Sequence, residues 1–399
     1  MGSLTVPQQL KLRMLAQGMT ITDRARSWLT EATNGRRLSS ADYASTSGLI
    51  LKLDDDVWVN APVADHNSNF VADDGAVLDL RDGAPSVRFG SLESPAAYAL
   101  QPAFHSKGAT SPALDVVVTH GDRARLSPLQ SCSMTCTFCN IPYDMPISAY
   151  RLEPIEHCLE ALRVALEDPI QPAWHILISG GTPKPKDIGN HQELYLRVLK
   201  TFPEVPVDIM MVPIPGILDL PALGAAGLNE LSINLEVYDR RCQQAVARQK
   251  YNRGRDSYLD FIESAAEQLG PGRVRSMLLV GLEPTESTLE GVEAIARRGG
   301  VPVLSPFRPD PVTPLARMRP PSYEELLDVL TRSEEIVAKH GTLLGPTCPP
   351  CSHNTLSFAG GKDGHVRYIH EHPAMLETGV SHHASGLTAA STADEPARS

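Results

Sequence analysis

Cys132-Ser133-Met134-Thr135-Cys136-Thr137-Phe138-Cys139 is the stretch from which the rest of the chain is read. Three cysteines stand in one loop at the spacing CxxxCxxC, with an aromatic residue just before the last. Three thiolates so placed can each hold one iron of a cubane iron–sulfur cluster, which leaves the fourth iron without a protein ligand. An open iron can take a substrate or cofactor, as the open position of a catalytic zinc does. Two blander readings compete: part of a zinc knuckle, or a chance cluster. Zinc knuckles close with four ligands from two separated pairs, and no second pair lies within zinc-finger distance here.

From Ala124 onwards apolar runs alternate with amphipathic stretches, the signature of parallel strands joined by helices. The runs 124–130, 175–179, 207–212, 230–236, 274–281 and 301–307 predict six strands. Helices are predicted at 154–166, 191–201, 218–226, 239–248 with 256–269, 287–298 and 322–340. The strands read as continuous apolar runs, as expected when both faces of a sheet are covered. Six such units make an α/β fold, a partial (β/α)6 TIM-like barrel. In barrels, chemistry gathers in the loops at the C-terminal ends of the strands. The cysteine loop, Gly180-Gly181-Thr182-Pro183 and Glu236 all fall at such ends.

Four regions follow from the pattern. Residues 1–120 predict an N-terminal α+β extension. It opens with helix to about residue 35, with Leu10, Leu12, Met14, Leu15 and Met19 apolar and Thr22 with Asp23 as a cap. Short strands and turns come next. Residues 121–340 hold the barrel, and 341–373 form a short C-terminal extension around Cys348-Pro349-Pro350-Cys351. Residues 374–399 have too little apolar content to fold and read as a disordered tail. His66, His105 and His120 are isolated and read as ordinary surface or core histidines.

Two further motifs flank the cysteines. The paired glycines Gly180 and Gly181 let backbone approach a ligand closely, although Gly-Gly-x-Pro is also an ordinary turn. Asn234 and Glu236 alternate along one strand and so share a face. A polar pair in an apolar strand needs partners, either a ligand or a buried network with a neighbouring strand.

Together these motifs resemble the radical S-adenosylmethionine (radical SAM) superfamily, over about residues 124–320. The resemblance implies that Cys132, Cys136 and Cys139 hold a [4Fe-4S] cluster whose open iron is chelated by S-adenosylmethionine (SAM). It implies that Gly180, Gly181, Thr182 and Pro183 receive the amino group of SAM, and that Asn234 and Glu236 meet its ribose and carboxylate. Phe138 and Gly281 correspond to adenine contacts. The family often has a glutamate three residues after that glycine; here the position is Pro284, with glutamates at 283 and 286. Ser305-Pro306-Phe307-Arg308-Pro309 and the proline-rich stretch after it resemble the biotin-synthase-like branch. The implied enzyme cleaves SAM reductively and uses the 5′-deoxyadenosyl radical to abstract hydrogen from a small-molecule substrate. An electron donor such as flavodoxin or ferredoxin is implied with it. The competing class is a non-catalytic iron–sulfur sensor that kept the fold. Tyr238, Arg240, Arg248, Arg308 and Arg317 lie in or after rim loops and either hold an anionic substrate or are solvated groups.

Cys348 and Cys351 admit four readings: a redox dithiol, half a zinc site with His353, part of an auxiliary iron–sulfur cluster with Cys158, Cys242, His353 or a substrate atom, or no cofactor. The auxiliary cluster would favour sulfur insertion or dehydrogenation.

Bulk properties narrow the class. The 399 residues carry a net charge of −11, which argues against a general binder of nucleic acid or anionic membrane. Seven cysteines, three of them clustered, do not resemble a secreted disulfide framework. The first 20 residues show no signal-peptide pattern, and no run approaches the ~18 apolar residues of a membrane span. A cytoplasmic setting is expected.

Overall fold

The computed structural model describes residues 4–32, 48–64, 72, 74–106, 110–214, 216–358 and 375–376. The chain opens with helix α1 (Val6–Gln17), whose start is a capping box between Thr5 and Gln8. Strand β1 (Met19–Ile21) separates it from α2 (Asp23–Ala32), so the expected N-terminal helix is two. The Thr22 hydroxyl accepts the Ala25 amide at 3.2 Å, the cap read from the sequence. Strands β2 (Gly48–Leu53), β3 (Val57–Pro62), β4 (Ala76–Arg81), β5 (Ala84–Phe89) and β6 (Leu92–Ala99) complete a sheet in the order β1-β4-β5-β6-β2-β3. Its pairings are antiparallel except β1 with β4.

After the short α3 (Ala103–Ser106), β7 (Val117–His120) and β8 (Arg123–Leu126) form a tight hairpin that belongs to the second sheet. β9 (Leu129–Gln130) pairs with β10 (Arg151–Leu152), bracketing α4 (Ile141–Asp144). The βα units then follow: α5 (Ile155–Leu166), β11 (His175–Ile178), α6 (Ile188–Thr201), β12 (Val207–Met210), α7 (Leu220–Ala225) and β13 (Glu230–Ser232). Helices α8 (Arg240–Val246), α9 (Arg248–Arg253) and α10 (Arg255–Leu269) lead to β14 (Val274–Val280). Helix α11 (Thr285–Ala296), β15 (Val301–Pro306) and α12 (Tyr323–Lys339) complete the series. The sheet order is β15-β14-β13-β12-β11-β8-β7, with six parallel strands and β7 as an antiparallel edge. This is the partial (β/α)6 barrel read from the sequence.

The strands are not apolar on both faces. Ala124, Leu126, Ile176, Ile178, Val207, Ile209, Leu231, Val274 and Leu278 form one face and join the core under the helices. The alternate residues line the interior, and many are polar: Arg123, Arg125, His175, Asp208, Glu230, Ser232 and Arg275. The charges at the floor are paired, with Arg275 bridging Asp208 at 2.9 Å and Glu230 at 3.0 Å.

Strand β13 also ends earlier than predicted. The Ile233 amide still donates to the Arg275 carbonyl at 2.8 Å, but beyond it the ladder is carried by side chains: Asn234 Oδ1 accepts the Met277 amide at 3.2 Å, and Ser276 Oγ accepts the Leu235 amide at 3.1 Å. Backbone pairing resumes at Glu236, whose amide donates to the Met277 carbonyl at 2.7 Å. The break behaves as a bulge, which re-aims the residue that follows it.

Residues 345–358 cross the open side of the barrel. The Gly345 amide donates to the Pro302 carbonyl and the Leu356 amide to the Leu304 carbonyl, both on β15. Pro350 packs against Gly121 in the β7–β8 turn, where a Cβ would lie 3.0 Å away. The buried Lys11 of α1 donates to the carbonyls of Ser352 at 2.8 Å and Ser357 at 2.7 Å. Burial, with the Arg308 charge, holds its ammonium well below the usual lysine range. Met375–Leu376 adds a short strand to β6 within the stretch expected to be a tail; the rest of that stretch and His66 lie outside the described residues. His105 accepts the Thr119 amide at 3.1 Å and His120 is buried, so both are core histidines.

Lys11→Met keeps the buried stem and removes both hydrogen bonds. It should destabilise the protein by about 1–3 kcal/mol, read as a lowered urea midpoint at unchanged slope. An unchanged midpoint would mean that α1 and the C-terminal segment are not joined through this lysine.

Candidate functional site

The cysteine loop leaves β9 through Ser131, a buried residue with φ of +71°. It is held mainly by contacts to other segments. The Ser133 amide donates to the Thr182 carbonyl at 2.9 Å, and the Thr137 amide to the Val246 carbonyl at 2.9 Å. The Ser133 hydroxyl reaches the Pro183 carbonyl at 3.2 Å. Cys132 Sγ accepts two backbone amides, from Thr182 at 3.1 Å and Met134 at 3.3 Å. Gly181 lets the two loops meet: a Cβ there would lie 1.9 Å from the Ser131 carbonyl oxygen. Gly180 has φ of +124°, a conformation that side chains rarely adopt. Tyr150 braces the same loop, donating to Asp187 at 2.8 Å and accepting the Lys184 amide at 2.8 Å.

The donor set fits an iron–sulfur cluster. All three cysteines are free thiols. Burial pushes the Cys136 thiol up to about 12, with the Glu236 charge adding to it, and burial pushes Cys139 up to about 11. Thiols in such a place ionise when a cationic centre takes the protons' place. Amide donors on a thiolate sulfur stabilise it and are one of the levers on cluster potential.

Glu236 stands beside the cysteines with φ of +68°, an uncommon backbone state costing roughly 1–2 kcal/mol. Its carboxylate meets Lys250 Nζ at 2.7 Å, and Lys250 also donates to the Asn234 carbonyl at 2.9 Å. Burial opposes the Lys250 charge, but Glu236, Tyr258 and Cys136 together outweigh it and the net shift is upward. Asn234 belongs to a network with the next strand: its Oδ1 takes the Ser232 hydroxyl at 2.8 Å as well as the Met277 amide. Phe138 packs against the cluster of Val237, Leu282 and Phe307, in which Leu282 follows Gly281. Gly281 has φ of +97°, and a Cβ there would meet Pro321 at 3.0 Å. Glu283 accepts the amides of Tyr238 at 2.8 Å and Asp239 at 2.6 Å, and burial raises its pKa to about 7. It therefore holds the loop after β13.

The other candidates scatter. Arg240 stacks on Tyr251 at 3.8 Å and Tyr238 lies under Arg255 at 4.3 Å, while Arg248 and Arg317 are exposed. Arg308 faces inward, where burial lowers it to about 9. Cys158 is core, and Cys242 packs near Phe138 at the rim. Cys348 and Cys351 lie elsewhere, beside Asp122 and His175 at the N-terminal ends of β8 and β11. Sequence reasoning missed Lys250 and Arg125. Lys250 gave no local signal, whereas Arg125 did: a charge at an inward position of a predicted strand. Its buried Nε finds no partner, and it forms no ion pair among the described residues.

Residues 126–295 match the family described as Radical SAM superfamily. A curated relative, bacteriochlorophyllide c C-7(1)-hydroxylase of Chlorobaculum limnaeum, is 30% identical over 118 residues; this covers 29% of this chain and 29% of the relative. Among solved structures, a radical SAM methyltransferase from Sphaerobacter thermophilus is 14% identical with a TM-score of 0.42, covering 69% of this chain and 78% of that one. The FeFe-hydrogenase maturase HydG from Carboxydothermus hydrogenoformans is 17% identical with a TM-score of 0.41, covering 56% and 54%. Likenesses of this degree locate no residue's role. No helix among the described residues is long and apolar enough to cross a membrane.

Gly181→Ala drives a methyl group into the Ser131 carbonyl, an overpacking of about 1–3 kcal/mol. The two loops should separate, and iron retained after anaerobic reconstitution should fall well below half of wild type while the circular dichroism spectrum persists. Wild-type iron content in this variant would show that the contact does not position the cysteines.

Proposed function

We propose, from the match of residues 126–295 to the radical SAM superfamily, that this protein is an enzyme that binds a [4Fe-4S] cluster through Cys132, Cys136 and Cys139 and abstracts hydrogen from a small-molecule substrate. The observation that carries the reading is the union of two loops: the amide of Thr182 on Cys132 Sγ, with Gly181 against Ser131. When bound, the cluster and SAM supply one-electron cleavage of the sulfonium and with it the 5′-deoxyadenosyl radical. The electron donor is of the flavodoxin or ferredoxin type.

The chain's own groups divide the remaining work. Amides of Met134 and Thr182 fix the Cys132 sulfur. Glycines 180 and 181 leave backbone bare for an ammonium group. Glu236, aimed by its ion pair with Lys250, offers a carboxylate to a ribose or amine. The side-chain oxygen of Asn234 is spent on the strand network, so its contribution is to shape the bulge that presents Glu236. Phe138 and Leu282 give an apolar wall for a planar base. Arg125, inside the barrel and without an ion pair among the described residues, offers a guanidinium to a carboxylate, either of SAM or of an anionic substrate. The hydroxylase with partial likeness acts, by its name, at a carbon position, which agrees with hydrogen abstraction.

Each of Cys132→Ala, Cys136→Ala and Cys139→Ala should abolish formation of 5′-deoxyadenosine from SAM in reduced, reconstituted protein, with the fold retained. A triple variant that still forms it would sink the proposal.

Arg125→Gln removes one charged partner, about 1.5–3 kcal/mol, which is roughly a ten- to hundredfold loss of affinity. A SAM dissociation constant raised by that factor assigns the carboxylate to SAM. Unchanged SAM binding with lowered product yield assigns it to the substrate, and no change in either removes Arg125 from the site.

A further inference from the structure

We infer that Asp122, His175, Cys348 and Cys351 form a closed, mononuclear zinc site at the N-terminal ends of the barrel strands, where it ties the C-terminal segment across the open side. The four ligand atoms all lie within 4.8 Å of one another. His175 Nε2 stands 3.2 Å from Cys351 Sγ, and Cys348 Sγ stands 4.0 Å from Asp122 Oδ1. Zinc bonds of 2.0–2.3 Å in a tetrahedron put neighbouring ligand atoms roughly 3.3–3.8 Å apart. The observed separations straddle that range. A cubane places its protein ligands on separate irons and needs a wider spread, so the grouping suits one ion.

Burial points the same way. The four residues are 0%, 1%, 2% and 5% exposed, in the order Asp122, His175, Cys348 and Cys351. A carboxylate, an imidazole and two thiols gathered away from water are a donor set that a bound cation stabilises. Zinc with two thiolates, one carboxylate and a neutral imidazole leaves one net negative charge. Arg123, next to Asp122, acts on Cys351 from the same side and offsets it. A site whose four ligands all come from protein, with no outlet to solvent, is of the structural kind.

The ligands come from three separate stretches: the β7–β8 turn, the start of β11, and the turn around Pro350–Asn354. Pro349 and Pro350, between the cysteines, limit the shapes that loop can take. The same turn receives Lys11, so the ion would join both sheet edges and the N-terminal helix. The site lies a strand's length from the Cys132 loop, roughly 13 Å for four residues at ~3.3 Å each.

The test is metal content of the full chain, with a cluster-free variant as control. Wild-type protein and Cys132→Ala/Cys136→Ala/Cys139→Ala should both carry about one zinc per chain by mass spectrometry. Cobalt in its place should give thiolate charge-transfer bands and tetrahedral d–d bands. Cys348→Ser/Cys351→Ser should lose the zinc and those bands, and a chelator should lower the wild-type melting temperature. The wild-type measurement stands even if that variant fails to fold. Wild type without zinc and with a Cys348–Cys351 disulfide overturns the inference. So do about four irons in the cluster-free variant, which would mean a second cubane at this pair.

Discussion

Two loops can approach to bonding distance here because one residue has no side chain. Gly181 lies so close to the Ser131 carbonyl that any other residue would collide with it. That contact sets the Thr182 amide on the Cys132 sulfur and the Ser133 amide on the Thr182 carbonyl. The cysteine loop has little internal hydrogen bonding of its own, so its shape is borrowed from the glycine loop, the brace at Tyr150 and the helix ending near Val246. The positions of three potential iron ligands thus depend on backbone packing between the loops that follow β9 and β11.

The second constraint is electrostatic. The barrel presents apolar residues to its helices and polar ones to its interior, and a charge without water needs a partner. Most have one: Arg275 joins Asp208 and Glu230 at the floor, and Lys250 joins Glu236 at the rim. The rim pair is where the regular ladder fails. Asn234 and Ser276 supply the missing bonds, and Glu236 takes a left-handed conformation that turns its carboxylate toward the cysteines. Arg125 departs from the pattern, forming no ion pair among the described residues.

The third constraint is closure. A six-stranded parallel array leaves two edges, and residues 345–358 lie along β15 while touching the β7–β8 turn. Lys11 of α1 anchors that segment, and the group of Asp122, His175, Cys348 and Cys351 joins it to the β7–β8 turn and the start of β11. The two cysteine sets therefore occupy opposite ends of the barrel: one set at the C-terminal ends of the strands, the other under their N-terminal ends.

Much of this was legible in the sequence, because it is local. The CxxxCxxC spacing, the glycine pair, the six βα periods and the cap at Thr22 depend on residues a few positions apart. What the sequence left open was decided by contacts between distant segments. Asn234 and Glu236 looked equivalent by alternation, yet one completes a ladder with β14 and the other meets Lys250. His353, three residues from Pro350, looked the natural companion of the CPPC pair, but its ring turns to the Pro350 carbonyl. The residues beside the pair are Asp122 and His175 instead; Asp122 stands 226 positions from Cys348, and His175 176 from Cys351. Spacing along the chain carries no record of such meetings. They arise only when the strands curl and the last segment is laid across them.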